Sequence, residues 1–281
     1  FSRDAGSGPF SREDARQPPW LARAGGAFRE PKLAPARVLI RRDMLYCRGP
    51  VLIDKLNQIR RRIREASERA KRNPDAIRLV AVTKYADLPS MRALLSSGLV
   101  AEVGESRVQD AERKKQALGE LAGKVRWRLI GHLQTNKAKK AVKVFDAVDS
   151  VDSKKAAAAL DAALADSTAT LPVMIQVKLT ERQTQSGVAP GELAALISTL
   201  KKYPRLETEG LMGIAPESSP EAARFSFRML RELRDRHLPR GLLNMGMSRD
   251  FEIAVEEGAD LVRIGSQIFT QPSQASMEAP E

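Results

Sequence analysis

Three short stretches of this sequence combine residue types that can do chemistry. Leu79-Val80-Ala81-Val82-Thr83-Lys84-Tyr85 carries a lysine at the end of an apolar run. Met245-Gly246-Met247-Ser248 and Arg263-Ile264-Gly265-Ser266 each lead from an apolar run into glycine and a hydroxyl. A primary amine at the C-terminal end of a buried strand is a candidate for carbonyl chemistry, most simply a Schiff base with an aldehyde. The ordinary alternative is a lysine stem lying over the strand end with its ammonium in water. Glycine lets backbone approach a ligand closely, while serine hydroxyls and free N–H groups suit an anion. Taken singly, each of these Gly/Ser segments also reads as a plain strand-ending turn.

The elements that position these residues follow from periodicity. Leu52, Ile53, Leu56, Ile59, Ile63 and Ala66 recur at three- and four-residue spacing, which predicts an amphipathic helix over 51–72 that Asn73-Pro74 ends. Strands are expected at Arg78–Val82, Leu99–Val103, Val125–Ile130, Ala147–Val151, Val173–Val177, Thr208–Met212, Leu242–Met245 and Leu261–Ile264. Helices are expected near Pro89–Ser97, Ser106–Leu121, Asn136–Phe145, Lys154–Ala165, Gly191–Tyr203, Pro220–Arg236 and Phe251–Glu257. Short apolar strands alternating with helices predict an α/β protein, a single (β/α)8 TIM barrel, with the helix of 51–72 covering the remaining gap. A doubly wound open sheet is the alternative, but no G-x-G-x-x-G follows the first strand and G-x-x-x-x-G-K-[ST] is absent.

In a barrel every strand's C-terminal end reaches one mouth. Barrels often hold a phosphate on the loops after strands seven and eight, which here are Gly246–Ser248 and Gly265-Ser266. Opposite Lys84, these turns call for a cofactor with both an aldehyde and a phosphate, and pyridoxal 5′-phosphate is the candidate. Arg263 could then face the cofactor's ring nitrogen, where a permanent cation discourages protonation. A salt bridge to Glu256 or Asp260 at the barrel rim is its other reading.

Composition narrows the class. The chain has 281 residues, 42% of them hydrophobic, and a formal charge of +12. No apolar run approaches the roughly 20 residues that span a bilayer. One cysteine, Cys47, and two histidines give poor support to a disulfide or a Cys/His metal site. Residues 1–50 hold ten Lys/Arg against five Asp/Glu, six of the sixteen prolines and five of the eighteen glycines. They read as a disordered or non-native N-terminal extension, with Met44 a plausible natural start. The barrel is expected over 51–270 and a short tail over 271–281.

Six blocks carry a resemblance. Leu79–Tyr85, Val103–Asp110 (VGESRVQD), Trp127–Lys137 (WRLIGHLQTNK), Gly210–Pro216 (GLMGIAP), Met245–Glu252 (MGMSRDFE) and Val255–Phe269 (VEEGADLVRIGSQIF) resemble the pyridoxal phosphate homeostasis protein family, in order and spacing from about Leu52 to Phe269. The resemblance implies a PLP-binding barrel of the alanine racemase N-terminal type, with no established catalysis and a role in vitamin B6 homeostasis. It implies that Lys84 is the Schiff-base lysine and that Arg263 approaches the pyridine nitrogen. Met245, Gly246, Ser248, Gly265 and Ser266 are implied to hold the phosphate. Ser106, where the family usually has Asn, and Asn244, where it usually has Ser, complete the cofactor-binding set, Asn244 as a phosphate donor. Lys178 and Gln185 also depart from the family pattern, which often has Asn and Lys there. Lys178 either pairs with Glu181 or faces the anion.

An amino-acid racemase on the same barrel is the alternative function. Alanine racemase draws its second base, a tyrosine, from a partner subunit's additional domain, whereas about a dozen residues follow Phe269 and the chain has three tyrosines. Tyr85 is expected to point away from Lys84. A nucleic-acid or anionic-surface binder, driven by the basic tail and Lys137-Ala138-Lys139-Lys140, is a third reading. It is disfavoured because aromatics do not interleave with the basic runs. The expectation is a cytoplasmic monomer that binds PLP and supplies apo PLP-dependent enzymes, with no membrane contact. Organellar targeting by residues 1–50 is left open.

Overall fold

Burial of apolar stripes decides where the elements lie. The computed structural model describes residues 48–180 and 185–269. Helix α1, Arg48–Arg69, turns Leu52, Leu56, Ile59, Ile63 and Ala66 onto the core at alternating four- and three-residue steps. Ile53, expected on the same stripe, is 37% exposed, because it lies one residue and about 100° around the helix from Leu52. α1 begins at Arg48, so 48–50 belong to the helix rather than to the expected extension. The expectations for 1–47 and 271–281 fall outside the described residues.

Eight strands follow among the described residues: β1 Arg78–Val82, β2 Glu102–Glu105, β3 Arg126–Leu129, β4 Ala147–Val151, β5 Leu171–Val177, β6 Leu206–Gly213, β7 Leu242–Asn244 and β8 Leu261–Ile264. All are parallel, each pairs with the next, and β8 pairs back onto β1 from Arg78↔Leu261 to Ala81↔Ile264. The expected closed barrel is thus observed. Helices α2 Leu88–Ser96, α3 Val108–Leu118, α4 Ala138–Val144, α5 Lys154–Ala163, α6 Leu193–Leu200, α7 Pro220–His237, α8 Phe251–Glu256 and α9 Ser266–Phe269 lie between and after them. Three expected helices are shorter because a 3-10 turn takes one end, at Gly119–Lys124, Thr135–Lys137 and Pro190–Glu192.

The strand expected at Leu99–Val103 forms instead at Glu102–Glu105. Leu99 and Val100 do serve the core, but from the connection that follows Gly98, whose φ of +66° turns the chain. The strand therefore contains two glutamates, both buried.

Strand alternation separates two layers. Ala81, Val103, Trp127, Leu129, Val148, Ile175, Leu211, Leu243, Val262 and Ile264 join the main core beneath the helices. Val80, Met174, Met212 and Leu261 form a separate small cluster inside the barrel. Beside that cluster the interior holds an ionic network. Arg128 on β3 donates to Asp149 on β4 through two hydrogen bonds (2.7 and 2.8 Å), to Glu102 on β2 (2.7 Å) and to Glu209 on β6 (2.8 Å). Glu209 reaches Arg128 through a bulge: Val173 pairs with Thr208 and Met174 with Gly210, which leaves Glu209 unpaired and re-aimed. Burial alone would push the Arg128 guanidinium down, but Asp149 and Glu102 raise it well above its ordinary value, so it stays charged.

Candidate functional site

Lys84 lies just beyond β1, in the turn Thr83–Ala86 closed by the Ala86 N–H donating to the Thr83 carbonyl at 2.9 Å. It is exposed, and its Nζ stands 4.9 Å from the centroid of the Tyr85 ring. Tyr85 is itself 87% exposed and does not point away from Lys84 as expected. The chain has left the strand at Thr83, so two-residue alternation no longer sends neighbours to opposite faces.

Barrel closure puts the other expected residues on neighbouring strands. β7, β8, β1 and β2 are consecutive around the ring, so Asn244–Ser248, Arg263–Ser266, Lys84 and Ser106 occupy one arc of the mouth. The loops are tied: the Arg263 N–H donates to the Gly246 carbonyl at 3.0 Å, and a Cβ on Gly265 would stand 3.1 Å from the Val82 carbonyl of β1. Ser106 is half-buried at the end of β2, with its carbonyl 2.2 Å from where a Cβ on Gly131 would sit.

Arg263 does not make the rim salt bridge to Glu256 or Asp260. Both acids precede β8, at the opposite end of the barrel from the mouth, and pair with arginines of the outer layer: Glu256 with Arg69 and Arg224, Asp260 with Arg72. Arg263 points inward, donating to the Asn244 carbonyl (2.8 Å), the Asn244 side-chain oxygen (2.5 Å) and the Gly213 carbonyl (2.8 Å). Burial lowers its pKa to about 10, opposed by Asp149 and Asp250, which still leaves a cation at neutral pH. Asn244 is fully buried, and its Nδ2 donates to Asp149 at 2.8 Å. Its amide therefore links Arg263 to Asp149 from within the barrel.

The loop after β7 is built for close backbone approach. Met245 is buried in the outer core, so it offers backbone alone to the mouth. Gly246 has φ +91°, and a Cβ there would stand 2.5 Å from that of Ala254. Asp250 accepts from the Met247 N–H at 2.6 Å and fixes the loop against α8. Burial raises the Asp250 pKa, against the hydrogen bond from Met247 and the charge of Arg263. The Ser248 and Ser266 hydroxyls make no hydrogen bond with a described residue, which leaves two donors on adjacent loops for an anion. An exposed amine, two free hydroxyls on glycine loops and a buried arginine are the donor set that a phosphorylated aldehyde with a ring nitrogen requires.

Sequence reasoning missed the polar supports of this arc. Thr83, Glu105 and Lys114 form a buried cluster behind the Lys84 turn, and Asp149 anchors Asn244. Asp149 stands inside an expected strand, Thr83 and Glu105 just past two others, and Lys114 on an expected helix, all places where periodicity alone reads a polar residue as solvent-facing. A cavity of about 370 Å³ lies on the β3–β4 side of the mouth, lined by His132, Gln134, Asn136, Ser153 and Lys155 among others, away from the arc of Lys84. There the His132 Nδ1 is 3.3 Å from Asp152. Gln185 accepts from the Thr180 N–H and hydroxyl and donates to the Ile214 carbonyl. Lys178 is half-buried, and its expected partner Glu181 lies outside the described residues.

Comparison with known proteins agrees with this fold. Residues 55–272 match the family described as alanine racemase, N-terminal domain. A protein of Aquifex aeolicus named pyridoxal phosphate homeostasis protein is 36% identical over 224 residues, covering 77% of this chain and 96% of its own. One of the same name from Pseudomonas aeruginosa is 36% identical over 220 residues, covering 78% and 94%. The structure of PipY from Synechococcus elongatus with PLP bound superposes with a TM-score of 0.67 at 32% identity, over 78% of this chain and 99% of that one. An alanine racemase of Clostridium difficile, 13% identical with a TM-score of 0.61, shares the fold over 81% of this chain and 57% of its own. The chain belongs to the pyridoxal phosphate homeostasis protein family, whose barrel is the alanine racemase N-terminal domain.

Proposed function

We propose that this protein binds pyridoxal 5′-phosphate and serves its homeostasis, holding the cofactor as a Schiff base on Lys84 and releasing it to apo PLP-dependent enzymes. The observation that carries this reading is the single arc of Lys84, Ser248, Ser266 and Arg263, with the PLP-bound PipY structure as its support among relatives. Bound there, the cofactor supplies an aldehyde carbon and a ring that can draw electrons from an attached amine. Lys84 would hold the cofactor at its aldehyde carbon through the side-chain nitrogen. Ser248, Ser266 and nearby amides receive the phosphate. Arg263, held by Asn244 and Gly213, would set a permanent positive charge toward the ring nitrogen and so disfavour its protonation.

A carrier role fits better than racemisation. A racemase needs a second proton carrier on the ring face opposite the lysine. Tyr85 follows Lys84 in the same turn with its ring against the ammonium, so it does not supply that group. Supplied with pyridoxal 5′-phosphate, the wild-type protein is expected to show an imine absorbance that Lys84→Ala abolishes. Alanine incubated with the loaded protein in deuterated water should retain its α-hydrogen on the timescale of enzyme turnover. Rapid Lys84-dependent exchange would overturn the carrier reading.

A further inference from the structure

The turn that carries Lys84 is held from behind by a buried charged cluster that makes no hydrogen bond, among the described residues, to the loops after β7 and β8. Thr83 is fully buried, Glu105 closes β2 at 1% exposure, and Lys114 on α3 is 8% exposed. The Lys114 Nζ donates to the Thr83 carbonyl (2.5 Å) and to Glu105 Oε1 (2.6 Å). The Thr83 hydroxyl donates to the same carboxylate oxygen at 2.6 Å, and the Thr83 N–H donates to the Gly104 carbonyl at 3.0 Å. The Thr83 carbonyl also accepts the Ala86 N–H that closes the turn, with Lys84 in its second position. One carbonyl therefore joins the Lys114 ammonium to the backbone of Lys84.

Stability alone does not favour such a cluster. A buried ion pair adds little net stability, and an apolar pair of similar volume is often as good or better. Here the cost is higher still, because Glu105 Oε2 is buried with no partner among the described residues. What the cluster provides is geometry: two charge-assisted hydrogen bonds converge on the residue before Lys84, one on its carbonyl and one on its side chain, and a third joins Lys114 to Glu105.

We propose that Lys114 and Glu105 are positioning residues that lock the Thr83–Ala86 turn and so set the Lys84 amine for aldehyde capture. The inference rests on the reading of Lys84 as the capturing amine. Neither residue touches the cofactor; each acts through Thr83.

The test uses the full chain, free of cofactor, as wild type, Lys114→Met, Glu105→Gln, the double variant Glu105→Leu/Lys114→Met, Thr83→Val and Thr83→Ser. Pyridoxal 5′-phosphate is added, borohydride fixes the adduct at timed intervals, and peptide mapping reads Lys84 against the other lysines. Hydrogen exchange at the Ala86 amide is measured on the unloaded proteins, together with thermal midpoints. Lys114→Met is expected to slow capture at Lys84 at least about tenfold relative to the other lysines and to speed Ala86 exchange. The double variant is expected to regain the wild-type midpoint while capture stays slow, and Thr83→Ser to behave as wild type. Should Lys114→Met fail to fold, Thr83→Val, which removes only the hydroxyl, is expected to show the same slowing. Wild-type capture in the double variant, with Ala86 exchange unchanged, would overturn the inference, since a merely structural cluster gives that result. If the wild type traps nothing at Lys84 while Ala86 exchange still responds to Lys114→Met, the functional reading fails and the locking of the turn stands.

Discussion

Arg263 shows how one side chain can serve stability and the site together. Its guanidinium saturates the Asn244 carbonyl and amide oxygen and the Gly213 carbonyl. Arg263→Leu would leave these acceptors unsatisfied inside the barrel, a loss of about 1–3 kcal/mol measurable as a lower denaturant midpoint at unchanged slope. Asn244→Ser shortens the link between Arg263 and Asp149, with an expected cost of about 1 kcal/mol for the lost hydrogen bonds. At this scale the sequence was legible where chemistry depends on residue type: an amine after a strand, glycine and serine after others. It was not legible where two residue types compete for one partner. Arg263 had carboxylates close in sequence at Glu256 and Asp260, yet these start the strand and belong to the other end of the barrel. Asn244 was expected to donate to the phosphate in place of the family's serine, but its amide is engaged by Arg263 and Asp149 inside the barrel.

The elements were legible where periodicity and burial coincide. α1, β1, β4 and β8 lie within a few residues of their expected bounds, since in each the apolar residues that face the helices recur at the element's own period. β2 was displaced because the apolar Leu99 and Val100 serve the core from the preceding connection, while Glu105 looks like a surface residue until Lys114 is brought to it. The β6 bulge had no sequence signal, since its purpose is to aim Glu209 at Arg126 and Arg128 across the barrel. Gly210, next to the bulge, permits the approach of β7: a Cβ there would lie 1.9 Å from the Leu242 carbonyl. Gly210→Ala is therefore expected to cost about 1–3 kcal/mol or more through forced strand separation, read as a lower thermal midpoint. Gly246→Ala meets both a positive φ and the Ala254 side chain. It is expected to weaken phosphate binding in titrations with pyridoxal 5′-phosphate as well as stability.

For the molecule as a whole, buried acid–base pairing ties stability to pH. Burial alone would raise the Glu209 carboxyl, but Arg128 and Arg126 hold it below its ordinary value of 4.5. Burial likewise opposes the lowering of Glu257 by Arg224, Arg228 and Arg231 on α7. A carboxylate held low in the folded state contributes stability that is fully present above its unfolded value and is lost as pH falls through the folded value. Acid unfolding should therefore begin as pH drops below about 4.5 and deepen below it, and Glu209→Gln should reduce that slope while lowering stability at pH 7. No helix among the described residues is long and apolar enough to cross a membrane. The barrel was legible from the count of alternating elements, whereas its ionic interior was not, because a closed sheet joins strands far apart in sequence. The central claim is that one lysine on this barrel holds pyridoxal 5′-phosphate. Borohydride reduction of the cofactor-supplied protein, followed by mass mapping, should find a stable pyridoxyl adduct on the peptide containing Lys84 and none in Lys84→Ala. An unmodified Lys84 peptide, or an adduct retained in Lys84→Ala, would contradict it.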